Sequence, residues 1–347
     1  MRWLATVLTV SIATTVLPFV SDAWGQETGD WLQVVTDMDA GELVFIVGPV
    51  DLPAGIMHHA IRQPPLLVGE VPVEGYLYGF DVEMVDPLGQ PITNRVLHHV
   101  NLIDADNREL FGSVPRRLFA AGGETRAASM PRLLGVPIER GQQLLVSAMF
   151  HNPTAQSFHG ARLRVRLKYR TRGWIFPISV YPVYLDVMGH VGEKDFDLPP
   201  GRSERSWEGK PAIGGRLLAV GGHLHDHATR LSFEDVTEGE VLWETGPELD
   251  EAGRVVAVPV GKLWWKGGIR LDPGHTYRLT VAYDNPTGET LVDGGMGVLG
   301  GIFLPQRGSS WPALDRTNPE YLANMEEMRV TAERRAQGMG GDHGHAR

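Results

Sequence analysis

The chain has 347 residues, no cysteine and a formal net charge of −10. Without cysteine there are no disulfides and no thiolate metal sites, so a metal must be held by His, Met or carboxylates. The acidic balance, with no basic patch along the chain, argues against a nucleic-acid partner.

The length allows two domains with separate cores, and 42 Gly and 24 Pro among short apolar runs point to many strands and turns. Met1-Arg2-Trp3 followed by the apolar run 4–20, with Ala23 and Gly25 in a small-x-small pattern, predicts an export signal over 1–25. That places the mature protein outside the cytoplasm, secreted or periplasmic. A retained anchor is the alternative, although the apolar segment is short for a span. Residues 42–50, 66–73, 75–85, 95–103, 142–150 and 161–170 then read as strands separated by Gly, Pro and Asn signals. Leu163, Val165 and Leu167 alternate with Arg162, Arg164, Arg166 and Lys168, as in an antiparallel sheet with one wet face.

The second half repeats the landmarks of the first in the same order. Asp197-Leu198-Pro199-Pro200-Gly201 answers Asp51-Leu52-Pro53-Ala54-Gly55, and Asp284-Asn285-Pro286-Thr287 answers His151-Asn152-Pro153-Thr154. The expected fold is all-β: two tandem antiparallel, jelly-roll-like β-sandwiches over 40–172 and 180–306, with a boundary near 173–182. A tail over 317–347 follows. Asn318 as N-cap, Pro319 in the first turn and Leu322, Met325, Met328 and Val330 among charges predict one amphipathic helix, a possible dock for a protein partner. From 338 onward the chain reads as disordered, with His343 and His345 on an exposed tail.

Thirteen histidines include doublets at 58/59 and 98/99 and the run Gly221-Gly222-His223-Leu224-His225-Asp226-His227. Read as one strand, that run places His223, His225 and His227 on a single face, where two imidazoles two residues apart can reach one ion. His98 and His99, being adjacent, face opposite ways and meet one ion only through a bulge or twist. Met149 and His151, on a common face, are the best source of a third ligand. Met296, in Asp293-Gly294-Gly295-Met296-Gly297, offers His223 and His225 a thioether, a soft donor that favours Cu(I).

Together these residues resemble the copper type II, ascorbate-dependent monooxygenases, the peptidylglycine α-hydroxylating and dopamine β-monooxygenases, over roughly residues 40–305. The resemblance implies two β-sandwiches, each carrying one copper across an open cleft. His98 and His99 match the doublet of the electron-donating copper. His223, His225 and Met296 match the His-x-His and Met of the copper that activates O2, and are the implied catalytic residues. It also implies a one-electron reductant such as ascorbate and a small-molecule substrate.

Two departures stand out. The later His of the donor site, which in the family precedes an Asn-Pro run, falls on Met149, with His151 two residues beyond, so either could complete that site. Where the peptide-hydroxylating enzymes grip a carboxylate, Gly221, Val298 and Gly300 stand instead. The expected substrate is therefore neutral or aromatic rather than a glycine-extended peptide. The competing reading is a non-catalytic copper-binding or structural periplasmic subunit of the same fold. A zinc hydrolase built on His223, His225 and His227 is disfavoured, because alternate ligands on one strand spread over about 13 Å.

Overall fold

The computed structural model describes residues 31–171, 173 and 177–336, and the expected export segment and the His343/His345 tail lie outside them. The chain forms two antiparallel β-sandwiches and a C-terminal helix. In the first, Leu32–Asp37, Glu42–Leu52, Phe158–Arg170, Gly75–Val85 and Leu134–Ile138 are neighbours in one sheet, with the short Ile178–Ser179 added in parallel at its edge. The facing sheet orders Leu67–Glu70, Gln143–Phe150, Leu97–Arg108 and Pro115–Gly122. In the second, Gly201–Gly209, Tyr277–Asn285, Ala228–Asp235 and Glu240–Thr245 form one sheet. Tyr181–Asp186, Gly297–Pro305 and Gly215–Leu224 run through the other.

Period-two patterning produces these layers. Along Phe158–Arg170 the inward Leu163, Val165 and Leu167 are buried, while Arg166 on the opposite face pairs with Asp81 and Glu83. Among the described strands no sheet is shared between residues before 180 and residues after it.

The repeated motifs make the same bonds twice. Asn152 Nδ2 donates to the carbonyls of Leu52 and Gln156, and its Oδ1 accepts from the Thr154 hydroxyl at 2.7 Å. Asn285 Nδ2 donates to Leu198 and Glu289, and its Oδ1 accepts from Thr287 at 2.7 Å. Each Asn-Pro-Thr thus pins a strand end to its own Asp-Leu-Pro turn, satisfying buried backbone carbonyls.

The two sandwiches are interlocked. Leu110 and Phe111 of the first half pack in the core of the second, and Leu218 packs in the core of the first. The helix Pro319–Ala336 is capped by Asn318, whose Oδ1 accepts the Glu320 N–H at 2.9 Å. It docks through Met328 and Ala332 against Leu66, Ile103, Ala105 and Leu145. Leu322, expected on the apolar face, is exposed, and Asn324 and Arg335 are buried in its place. The docked stripe is therefore partly polar, one reason that an apolar pattern alone misplaces it.

Candidate metal centre

The doublet of the first half sits on a bulge. Leu97 pairs with Phe150 and His99 with Met149, which leaves His98 as the extra residue of Leu97–Arg108. A bulge re-aims a side chain, and the two imidazoles turn toward each other, with Nδ1 of His98 and Nδ1 of His99 3.2 Å apart. Two nitrogens each about 2.0–2.1 Å from one ion stand about 3.3 Å apart at a tetrahedral angle. Around His98 stand His151, with ring centroids 5.2 Å apart, and His58 at 5.3 Å. Met149 faces the cavity described below.

In the second half the structure corrects the single-strand expectation. Gly215–Leu224 ends just before His225, a turn closes with Ala228 N–H on the His225 carbonyl, and Ala228–Asp235 returns antiparallel to its neighbours. His227 occupies the turn with a φ of 72° and so leaves the face shared by His223 and His225. The zinc triad loses its third ligand there. The rings of His223 and His225 stay together, 5.2 Å between centroids.

Met296 links the strands Leu291–Gly295 and Gly297–Pro305. Its backbone is fixed by Tyr283, whose hydroxyl accepts the Met296 N–H and donates to the Met296 carbonyl. Although glycines flank it, the side chain is buried beside Tyr184 and Val298, and it still lines the cavity. The glycines serve closeness rather than exposure, since a Cβ on Gly295 would lie 2.3 Å from the Phe196 ring.

The sites were also expected to stand apart across an open cleft, whereas the structure brings histidines of the two into contact. The rings of His98 and His225 are 5.8 Å apart, so the histidines of both halves form one continuous cluster. The cross-packed cores hold the halves this close.

Glu124, which sequence reasoning missed, joins the halves at this point. His223 Nδ1 donates to Glu124 Oε1 at 2.6 Å across 99 residues of chain. Burial opposes charge on both partners, yet their mutual attraction and hydrogen bond win, raising the pKa of His223 and lowering that of Glu124. An ionised carboxylate only accepts, so Nδ1 carries a proton, and once the ring gives up its second proton, as a metal requires, its lone pair is at Nε2. That Nε2 is buried with no hydrogen-bond partner among the described residues. Gly123 allows the Glu124 loop to lie against the start of the doublet strand, because a Cβ there would be 2.4 Å from the Asn94 carbonyl oxygen.

Four neighbouring imidazoles shift the opposite way, toward the neutral form. Burial, and then Arg335, lowers His99 to about 3, while burial and then His223 lowers His225 to about 3. Burial followed by the neighbouring rings pushes His98 well down, and burial lowers His151. Neutral imidazole is the form that ligates.

These donors fit copper in kind: imidazoles with a nearby thioether and no thiolate. The pairs are posed and a third ligand is not. Among the described residues no three His, Asp or Glu side chains already stand where one ion could be held by all of them.

A cavity of about 1240 Å³ opens between the halves, lined by His58, His99, Met149, Glu124, His223 and Met296. Gly221, Val298 and Gly300 also line it, as does Trp264, whereas Trp265 is exposed and does not. His58 was visible in the sequence as half of a doublet, but nothing local tied it to His98. Glu124 had no sequence signal, since its role comes from a contact between halves.

No protein-family model matches the chain, and no curated protein matches it. Among solved structures, the major capsid protein P2 of Bacteriophage PM2 is similar at 12% identity and a TM-score of 0.35, over 78% of this chain and 100% of that one. The infectious bursal disease virus VP2 subviral particle gives 10% identity and a TM-score of 0.20, over 89% and 88%. Both likenesses are remote and say nothing of activity.

Proposed function

We propose that the chain is an exported, copper-dependent monooxygenase that hydroxylates an activated C–H bond of a small molecule with O2 and a one-electron reductant such as ascorbate. The observation that carries this reading is the convergence of two imidazole pairs, one from each sandwich, beside a single cavity that Met296 also lines. His98 and His99, completed by His58, His151 or Met149, would hold one copper. His223, His225 and Met296 would hold the other. Bound copper would supply the one-electron and O2 chemistry that the side chains lack.

The remaining work belongs to the chain. Glu124 fixes the tautomer and orientation of His223, a carboxylate-to-histidine contact of the kind that tunes metal ligands. Tyr283 fixes Met296 through both of its backbone groups. The cavity floor at Gly221, Val298 and Gly300 carries no cation, so a free carboxylate held there would lose its hydration without a partner. The reacting part of the substrate is accordingly neutral, with an aromatic ring suited to the flat glycine wall.

The test supplies copper, ascorbate and O2 with two substrates, a neutral benzylic compound and a glycine-extended peptide. Copper-dependent hydroxylation of the benzylic compound, coupled to ascorbate oxidation, is expected. Faster turnover of the peptide would overturn the argument from the floor. The second reading, a non-catalytic copper protein, draws on the crowded donor side, where His58, His151 and Met149 compete for one place. Copper binding without hydroxylation of either compound would favour it.

A further inference from the structure

A buried cation in the cavity has no counter-charge. Arg335, in the last turn of the C-terminal helix, is 8% exposed. Its Nη1 donates to the Ser147 hydroxyl at 3.2 Å and leans on the Ala148 carbonyl at 3.5 Å. Among the described residues no carboxylate lies within ion-pair distance of it, and Nε and Nη2 meet no acceptor. Elsewhere the molecule pairs such groups when it buries them, as Arg116 is paired with Asp104 at 2.8 Å. Leaving a guanidinium in low dielectric without a partner is costly, and burial lowers its pKa to about 10.

The surroundings show where a partner would sit. Arg335 lines the main cavity and also a side arm of about 130 Å³ under the helix, shared with Asn101, Arg117, Lys194, Glu327 and Thr331. The acid in this arm is already engaged: Glu327 accepts the Gly192 N–H at 2.7 Å. Arg117 lies over the Tyr184 ring at 3.9 Å. Ser147 and Ala148 pair with Asn101 and Val100, so Arg335 stands one rung along the ladder from the His99–Met149 pair.

We propose that Arg335 is the anchor of a binding site for a small organic monoanion, a carboxylate or enediolate gripped by the free Nε–Nη2 edge of the guanidinium. That edge offers two parallel donors, the geometry that favours planar oxyanions over point charges. The rest of the ligand extends into the apolar part of the cavity, past Phe80, Phe119 and Ile302. The C-terminal helix thereby closes the cavity and completes its binding surface. The same chemistry suits an acidic tail of the substrate, with its reacting end on the neutral floor, or an anionic reductant near His99. Anion binding itself does not require copper; only the assignment to substrate or reductant rests on the monooxygenase reading.

The experiment is calorimetric titration of the metal-free full chain with phenylacetate, ascorbate and the neutral phenylacetamide. One site per chain is expected for at least one of the two anions, with phenylacetamide at least about tenfold weaker. Phenylacetate binding points to the substrate and ascorbate binding to the reductant; competition between them places both on the same group. Arg335→Gln should weaken the anion at least about tenfold, with partial recovery in Arg335→Lys. Because the first variant could unseat the helix, Thr331→Glu is the second. It sets a carboxylate one turn before Arg335 at i,i+4, which favours the helix and competes for the guanidinium. Loss of anion binding in folded Thr331→Glu is expected. Absence of binding by both anions, equal binding of phenylacetamide, or unchanged anion binding in either folded variant overturns the proposal. None of these results touches the copper assignment, which is read separately from metal binding.

Discussion

Glu124 decides which nitrogen of His223 is available, and that makes it the most informative single side chain at the site. In Glu124→Gln an amide replaces the carboxylate with little change of shape, so the fold should hold while the charge that orients His223 is gone. Cu(I) affinity at the second site should drop about 10–100-fold, the usual effect of removing such a partner, in competition with a chromophoric chelator. Unchanged affinity would leave Glu124 with a purely structural role. A different residue-scale effect belongs to His190, whose ring packs against Trp207 and whose two ring nitrogens are buried with no hydrogen-bond partner among the described residues. Burial, then Arg117, lowers its pKa to about 3. A depressed histidine takes up a proton only on unfolding, so its share of stability is present above about pH 6.5 and is lost as pH falls toward 3. Urea unfolding of His190→Leu should therefore show a shallower loss between pH 6 and 4, by about 1.4 kcal/mol per pH unit, corresponding to one proton fewer. Parallel pH profiles would contradict the neutral, buried assignment.

Strands with clean alternation were legible in the sequence. Gly75–Val85 was placed at its observed ends, and Phe158–Arg170 was recognised over most of its length from the inward Leu163, Val165 and Leu167. The duplicated Asn-Pro-Thr was legible because each copy does the same local job on its own turn. The doublet strand carried its own condition, a bulge, and the bulge falls at His98. The turn at His225 to Ala228 was not legible, since one polar run between apolar flanks reads equally as strand or hairpin, and Asp-His lacks a glycine to mark the positive φ at His227. The helix start was clear from Asn318-Pro319, and Asn318→Ala should cost about 1 kcal/mol, read as faster amide exchange in the first turn of that helix. At the strand junction of the second half, Met296→Leu keeps volume and apolarity, so stability should change by less than about 1.5 kcal/mol. A ligand role for the thioether predicts weaker Cu(I) binding all the same; equal binding by the two proteins would remove Met296 from the site.

At the scale of the whole molecule, the two cores exchange Leu110, Phe111 and Leu218, and their histidines meet at the seam. The sequence could single out the paired histidines of each half separately, but nothing in it measured the distance between them, because that distance is set by packing between sandwiches. As proposed, these imidazole pairs serve as two copper sites, one rooted in each half. Anaerobic titration of the metal-free chain with Cu(I), against a chromophoric chelator, tests this most directly when wild type is compared with His98→Ala and His223→Ala. Two Cu(I) per chain, with each variant losing one, is the predicted result; no tight Cu(I) binding, or a stoichiometry that neither variant changes, would contradict it.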